Sequence, residues 1–176
     1  MPAGRDPDQG PPAAGWLVFG IFVLCFGPFC HAGETQTVSN TALNNLHWQD
    51  MTGSVHYLRD SHGQPRILHF WAAWCIPCRT ELPEMIQWQN NNSDILVIPL
   101  SLDERIAQTG YFIKKHQLDI PALLLDQDSS AALKIPALPY TIFISASGSL
   151  SGHFYGIAPW QDAKFSDRVR QHFADK

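Results

Sequence analysis

The feature that most constrains this chain is a pair of cysteines spaced as Cys75-Ile76-Pro77-Cys78, set just after an apolar run (Ile67, Leu68, Phe70, Trp71) and just before a helix-like stretch. That context turns a common spacing into a redox motif at a strand-to-helix junction. One helical turn brings the two sulfurs close enough to close a small, reducible disulfide ring. The first cysteine then lies at the helix N-terminus, where free N–H groups and the positive end of the helix dipole favour a thiolate. It is the thiolate that attacks disulfides.

The remaining cysteines leave that pair available for chemistry. Cys25 and Cys30 fall in an N-terminal leader, so the body holds one CxxC and no structural disulfide framework. A length of 176 residues suits one domain plus a leader, and 45% hydrophobic with 16% charged residues marks a globular body. The net charge of −4 comes with no basic block and no aromatic–basic interleaving, which argues against a nucleic-acid partner. Half a zinc site is the competing use of the pair, but tetrahedral zinc needs four ligands and there is no second CxxC or closely spaced histidine pair. A haem c site would need histidine where Arg79 stands, and no peroxidatic cysteine in a threonine-proline context is present. The chemistry asks for no cofactor beyond the two thiols.

Residues 1–32 read as an export leader. Trp16 to Phe29 is apolar but short for a spanning helix, which needs about 20 residues. Cys30-His31-Ala32 offers a cleavage point after Ala32, while Arg5 alone, offset by Asp6 and Asp8, departs from the usual basic start. The segment reads as a cleaved signal peptide, an uncleaved membrane anchor or a buried cytosolic segment, and the first two, which the pattern favours, put the body outside the cytoplasm. Residues 33–45 are polar and read as a tether, with the domain proper at 46–176.

From Leu46 short apolar runs alternate with amphipathic stretches, the pattern of an α/β domain. Strands are expected at Ser54–Leu58 and Gln64–Trp71 around a turn at Asp60-Ser61-His62-Gly63, and at Ile95–Leu100, Pro121–Leu125, Tyr140–Ser145 and Leu150–Tyr155. The last two form a hairpin across Ala146-Ser147-Gly148. Helices are expected from Pro77 to about Asn90, with Leu82, Met85, Ile86 and Gln89 on the buried face and a kink at Pro83, and at Glu104–His116. A short helix capped by Asp128 runs through Leu133, and a last one starts near Pro159 with Phe165, Val169 and Phe173 at spacing four.

The run Phe70 to Pro83, supported far downstream by Leu138-Pro139-Tyr140-Thr141-Ile142-Phe143-Ile144, resembles the thioredoxin superfamily. The likeness is strongest to its extracytoplasmic TlpA/ResA-like branch, which includes the DsbE/CcmG-like reductants of cytochrome c maturation. The resemblance implies a thioredoxin fold, a central mixed sheet flanked by helices, with a helix and strand inserted after the active-site helix. It implies an exposed attacking Cys75 and a shielded, resolving Cys78. Pro139 matches the superfamily's cis-proline, with Leu138 before it placing its backbone beside the disulfide to pair with an extended substrate. Trp74, Ile76 and Pro77 complete that groove, and Trp71 belongs to the core.

Two residues are candidates for moving the Cys78 proton. Glu81 stands where ResA-like proteins hold a buried acid near the resolving thiol; its alternative is an exposed acid favoured by the helix dipole. His69 stands where thioredoxins have a buried aspartate and TlpA-like relatives often asparagine, and imidazole as a class titrates near neutrality. Its alternative is a core histidine bonded to backbone. Arg79 either favours the thiolate or is solvated.

The expected activity is thiol–disulfide exchange on protein disulfides, and the resemblance favours the reducing direction, with electrons from a membrane thiol reductase. Two other readings stay open. One is an oxidase of the same fold, since Ile76-Pro77 does not set the potential by itself. The other is a copper-handling protein that uses the thiols as soft ligands.

Overall fold

The computed structural model describes residues 38–174; the leader, with Cys25 and Cys30, lies outside them. Seven strands make one sheet: β1 (His47–Asp50), β2 (Val55–Tyr57), β3 (Arg66–Trp71), β4 (Leu96–Ser101), β5 (Leu123–Leu125), β6 (Tyr140–Ile144) and β7 (Leu150–Tyr155). Their order across the sheet is β2-β1-β5-β4-β3-β6-β7. β3 runs parallel to β4, β4 parallel to β5, and β6 antiparallel to β3, so the sheet is mixed. Five helices cover it: α1 (Asn40–Asn45), α2 (Ile76–Asn91), α3 (Ile106–His116), α4 (Gln127–Leu133) and α5 (Ala163–Ala174). The expected inserted helix and strand are α3 and β5, which follow β4 rather than α2 directly.

Every residue of β3 is buried, because helices pack on both faces of the sheet and side chains alternate between them. Ile67 and Trp71 point into one core with Leu82, Met85 and Trp88 of α2, Phe112 of α3, and Phe165 and Val169 of α5. Leu68 and Phe70 point into the other, with Leu43 of α1, Leu133 of α4, and Trp48 and Ile142 from neighbouring strands. Each such side chain contributes about 1.5–3 kcal/mol by leaving water. His69, odd-numbered like Ile67 and Trp71, is therefore turned toward α2.

Several expectations are corrected. Val55–Tyr57 does not form a hairpin with β3; it pairs with β1 at the far edge of the sheet. A 3-10 helix, Leu58–Ser61, leads into the expected turn, which survives at His62-Gly63; Leu58 is buried and its carbonyl accepts from the Arg66 guanidinium at 2.9 Å. The second half of the expected tether is α1, capped by the Ser39 hydroxyl, with Leu43 buried among the β-strand residues of the second core. Asp126, not Asp128, caps α4. The last helix begins at Ala163, later than expected. The buried face of α2 carries Cys78, Glu81, Leu82, Met85 and Trp88, while Ile86 and Gln89 are only half-buried; Pro83 lies inside the helix, as expected. The β6–β7 hairpin is as expected, with Gly148 at φ +90 in its turn, a backbone geometry that favours glycine.

Candidate active site

β3 delivers the chain to the site, and hydrogen bonds hold the loop that follows it. The Leu102 N–H donates to the Trp71 carbonyl at 2.8 Å, and the Cys75 N–H to that of Ala72 at 3.1 Å. The Ala73 N–H donates to Asp103 Oδ1 at 3.0 Å. Asp103 is buried, and its other oxygen accepts from the Ser101 and Thr109 hydroxyls at 2.8 and 2.9 Å. This carboxylate ties the loop to the end of β4 and to α3.

Cys75 is the N-cap of α2, with Pro77 in the first turn, where its missing N–H costs nothing. Cys75 and Cys78 form a disulfide with their Cα atoms 5.3 Å apart. The Cys78 N–H points at Cys75 Sγ across 3.3 Å, and the Arg79 N–H donates to the Cys75 carbonyl at 3.1 Å. On reduction the Cys78 N–H and the helix end favour charge on the Cys75 sulfur over that on Cys78. Cys78 is fully covered; Cys75, at 5% exposure, is less open than the resemblance implied but remains the more accessible of the two.

Around the disulfide the surface is apolar. Trp74 and Ile76, on either side of Cys75, are 66% and 72% exposed, far above what large apolar side chains show in a core. Trp71 is wholly buried. The Leu138–Pro139 peptide bond is cis, Pro139 is buried, and its carbonyl accepts from the Gly156 N–H at 3.0 Å. Two residues on, the Ala158 N–H donates to Glu81 Oε2 at 2.8 Å. The segment 156–158 thus ties the Pro139 turn to α2 and leaves Ile157 between these two bonds, 52% exposed.

Glu81 and His69, separate candidates in the sequence, meet beneath the cysteines. Both side chains are wholly buried, and His69 Nε2 lies 3.0 Å from Glu81 Oε1. The approach is close but not aligned as a hydrogen bond, and neither of these two atoms has another partner. The opposite ring nitrogen, Nδ1, lies 3.0 Å from the Thr141 hydroxyl. The Trp160 ring stands edge-on to the imidazole at 5.8 Å. Glu81 is one helical turn after Cys78, on the same buried face. The exposed alternative for Glu81 is therefore excluded, as is the backbone-bonded alternative for His69.

Three participants escaped the sequence reading. Thr141 stands directly opposite His69 in the β3–β6 register, so antiparallel pairing of the two motifs would have located it. The Ala158 N–H and Asp103 had no local signal, since each acts across a tertiary contact.

Comparison with known proteins now places the chain. Residues 36–152 match the model of the AhpC/TSA family. Thioredoxin-like protein YneN of Bacillus subtilis is 28% identical over 102 residues, a segment covering 56% of this chain and 60% of YneN. Thiol-disulfide oxidoreductase ResA of Oceanobacillus iheyensis is 27% identical over 133 residues, covering 65% of this chain and 68% of ResA. Among solved structures, a secreted Mycobacterium tuberculosis disulfide oxidoreductase homologous to DsbE of E. coli superposes with a TM-score of 0.61 at 21% identity, covering 76% of this chain and 99% of that one. A putative DsbE from Chlorobium tepidum gives 0.63 at 22%, with coverage of 74% and 94%. The structural likeness fixes the thioredoxin fold, and the family match fixes the lineage: this chain belongs to the AhpC/TSA family, with a thioredoxin fold and its CxxC at the head of α2.

Proposed function

We propose that the protein reduces disulfides of selected proteins outside the cytoplasm, with Cys75 attacking and Cys78 resolving. The observation that carries this reading is the asymmetry of the pair: Cys75 caps α2 beside an exposed apolar rim, whereas Cys78 is covered and lies a turn before the buried Glu81–His69 contact. The Cys75 thiolate attacks one sulfur of a substrate disulfide, forming a mixed disulfide and releasing the other substrate sulfur as a thiolate. Cys78 gives up its proton and attacks Cys75 Sγ. The second substrate thiol leaves, and the protein keeps the Cys75–Cys78 disulfide, two electrons having passed to the substrate.

The second step needs a proton acceptor, because a covered thiol resists ionisation. Glu81 takes that proton as general base, and His69, held by Thr141, positions the carboxylate and shares the charge. The backbone of Leu138 beside Pro139, with Trp74, Ile76 and Pro77, receives the substrate as an extended segment. A membrane thiol reductase returns the dithiol. Export rests on the leader and on the secreted neighbour from Mycobacterium tuberculosis, and the leader either is removed or anchors the domain. Cytochrome c apoprotein or its assembly proteins are the substrates the family resemblance favours.

The reduction potential of the Cys75–Cys78 couple tests the direction. A value at or below about −270 mV, that of thioredoxin, supports a reductant, and one near about −120 mV, that of a strong oxidant, makes the protein a disulfide donor instead.

A further inference from the structure

A cleft of about 490 Å³ opens directly beside the redox pair, between α2 and α3. Its apolar wall is Ile76, Pro83, Phe112 and Leu118, and its polar groups are Arg79, Thr80 and His116; among the described residues no carboxylate lines it. Ile76 is one of the two residues between the cysteines, so the cleft begins within a turn of the disulfide.

Arg79 is placed against local electrostatics. It sits in the first turn of α2, where the helix dipole disfavours a cation, and that turn contains no acid. Among the described residues no carboxylate pairs with it, and its guanidinium lies over the Phe112 ring at 5.4 Å. The His116 ring packs on the same phenyl group, 4.4 Å between centroids. In a chain of net charge −4, the cleft thus presents a guanidinium with no carboxylate beside it among its lining residues.

We propose that this cleft is a subsite for an acidic side chain of the substrate polypeptide, close in sequence to the cysteine that Cys75 attacks. Arg79 offers the planar fork that matches a carboxylate, held ready on the Phe112 ring, while Ile76 and Leu118 take the methylene stem. Two or three residues of extended chain span about 7–11 Å, enough to seat such a side chain while its neighbouring cysteine is bonded to Cys75. This subsite deepens the reading of the protein as a disulfide reductant and rests on it.

The test uses the full chain in its dithiol form and two peptides, each with one cysteine as a mixed disulfide with 2-mercaptoethanol. One peptide carries Glu two residues to either side of the cysteine and the other carries Gln. Reaction releases peptide thiol and 2-mercaptoethanol and oxidises Cys75 and Cys78. The Glu peptide should react about two- to five-fold faster, the size of a partly exposed ion pair, although the net charge of the protein opposes it. The ratio of the two rates cancels any change in Cys75 reactivity. It should fall to about one in Arg79→Gln and in 0.5 M salt, and invert to favour a Lys peptide in Arg79→Glu. Arg79 is exposed, so these variants keep the fold. A native ratio of one with both peptides consumed overturns the subsite and leaves the reductase reading standing. A preference that survives both Arg79 variants overturns it also. Failure of both peptides to react overturns the two together.

Discussion

β3 buries two basic side chains three residues apart, on opposite faces of the sheet, in opposite kinds of surroundings. Arg66, at the start of the strand, is wholly buried and bonds to neutral acceptors: its two terminal nitrogens donate to the carbonyls of Leu58 and Ser145 at 2.9 and 3.0 Å, and one of them also to the Ser61 hydroxyl. Burial lowers the pKa of its guanidinium from the ordinary value, but an arginine does not give up its proton in a protein. The result is a staple that joins the 3-10 turn to the β6–β7 hairpin. His69 is just as buried, but its neighbours are a carboxylate and a hydroxyl, groups able to take or return a proton. Burial of a base is thus no mark of chemistry. The partner is.

The largest effect should follow from removing the staple. Arg66→Ala removes the guanidinium's bonds to the Leu58 and Ser145 carbonyls, which keep only the Ser61 hydroxyl and the Gly148 N–H as donors, and leaves a buried cavity; it should cost about 2–5 kcal/mol in chemical denaturation. The folded fraction should keep native thiol-exchange rates. A parallel loss of exchange rate per folded molecule would erase the contrast between the two ends of β3.

At the other end the pattern should invert. Glu81→Gln retains an oxygen to accept from Ala158 but cannot take a proton, so resolution by Cys78 should slow by about 10²-fold near neutral pH and recover at alkaline pH. Circular dichroism should show the fold intact. His69→Asn should slow exchange less, because the carboxylate remains. If Glu81→Gln leaves the pH profile of Cys78 alkylation unchanged while His69→Asn shifts it, their roles are exchanged.

What the sequence made legible is what local pattern controls. The apolar run of β3, the CxxC and the start of α2 are contiguous, and the β6–β7 hairpin carries its own turn residues. α1 and β1 were missed because each is short and rests on a single buried anchor, Leu43 or Trp48, too little for a periodic signal. The 3-10 helix before β3 and the pairing of β2 with β1 were not legible, because the burial of Leu58 and the reach of Arg66 across the sheet have no local signature. His69 and Glu81 each had an ordinary alternative alone. Only their meeting across the β3–α2 interface removes it.

A smaller effect tests the loop anchor. Asp103→Ala removes the acceptor of the half-buried Ala73 N–H and should cost about 1 kcal/mol, with loop 72–74 exchanging its amide hydrogens faster while α5 does not. The smallest lies away from both ends of β3. Hydrogen bonds from the Thr52 hydroxyl and then His56 hold the Asp50 carboxyl below the usual carboxylate range. A lowered pKa adds stability above the unfolded value, about 3.9, that is lost as pH falls through the folded one. Asp50→Asn should therefore lower Tm slightly at pH 7, and the difference should shrink as the pH drops below about 4.

The division of labour between the cysteines is the claim on which the rest depends, and trapping measures it directly. Reduced Cys78→Ala and Cys75→Ala variants are mixed with insulin, blocked with a thiol reagent and run on non-reducing gels. Cys75 exchanges from the helix cap while Cys78 stays covered, so Cys78→Ala should accumulate a mixed disulfide with insulin that reductant removes, and Cys75→Ala should form none. Equal adducts from Cys75→Ala, or none from Cys78→Ala, would contradict the account.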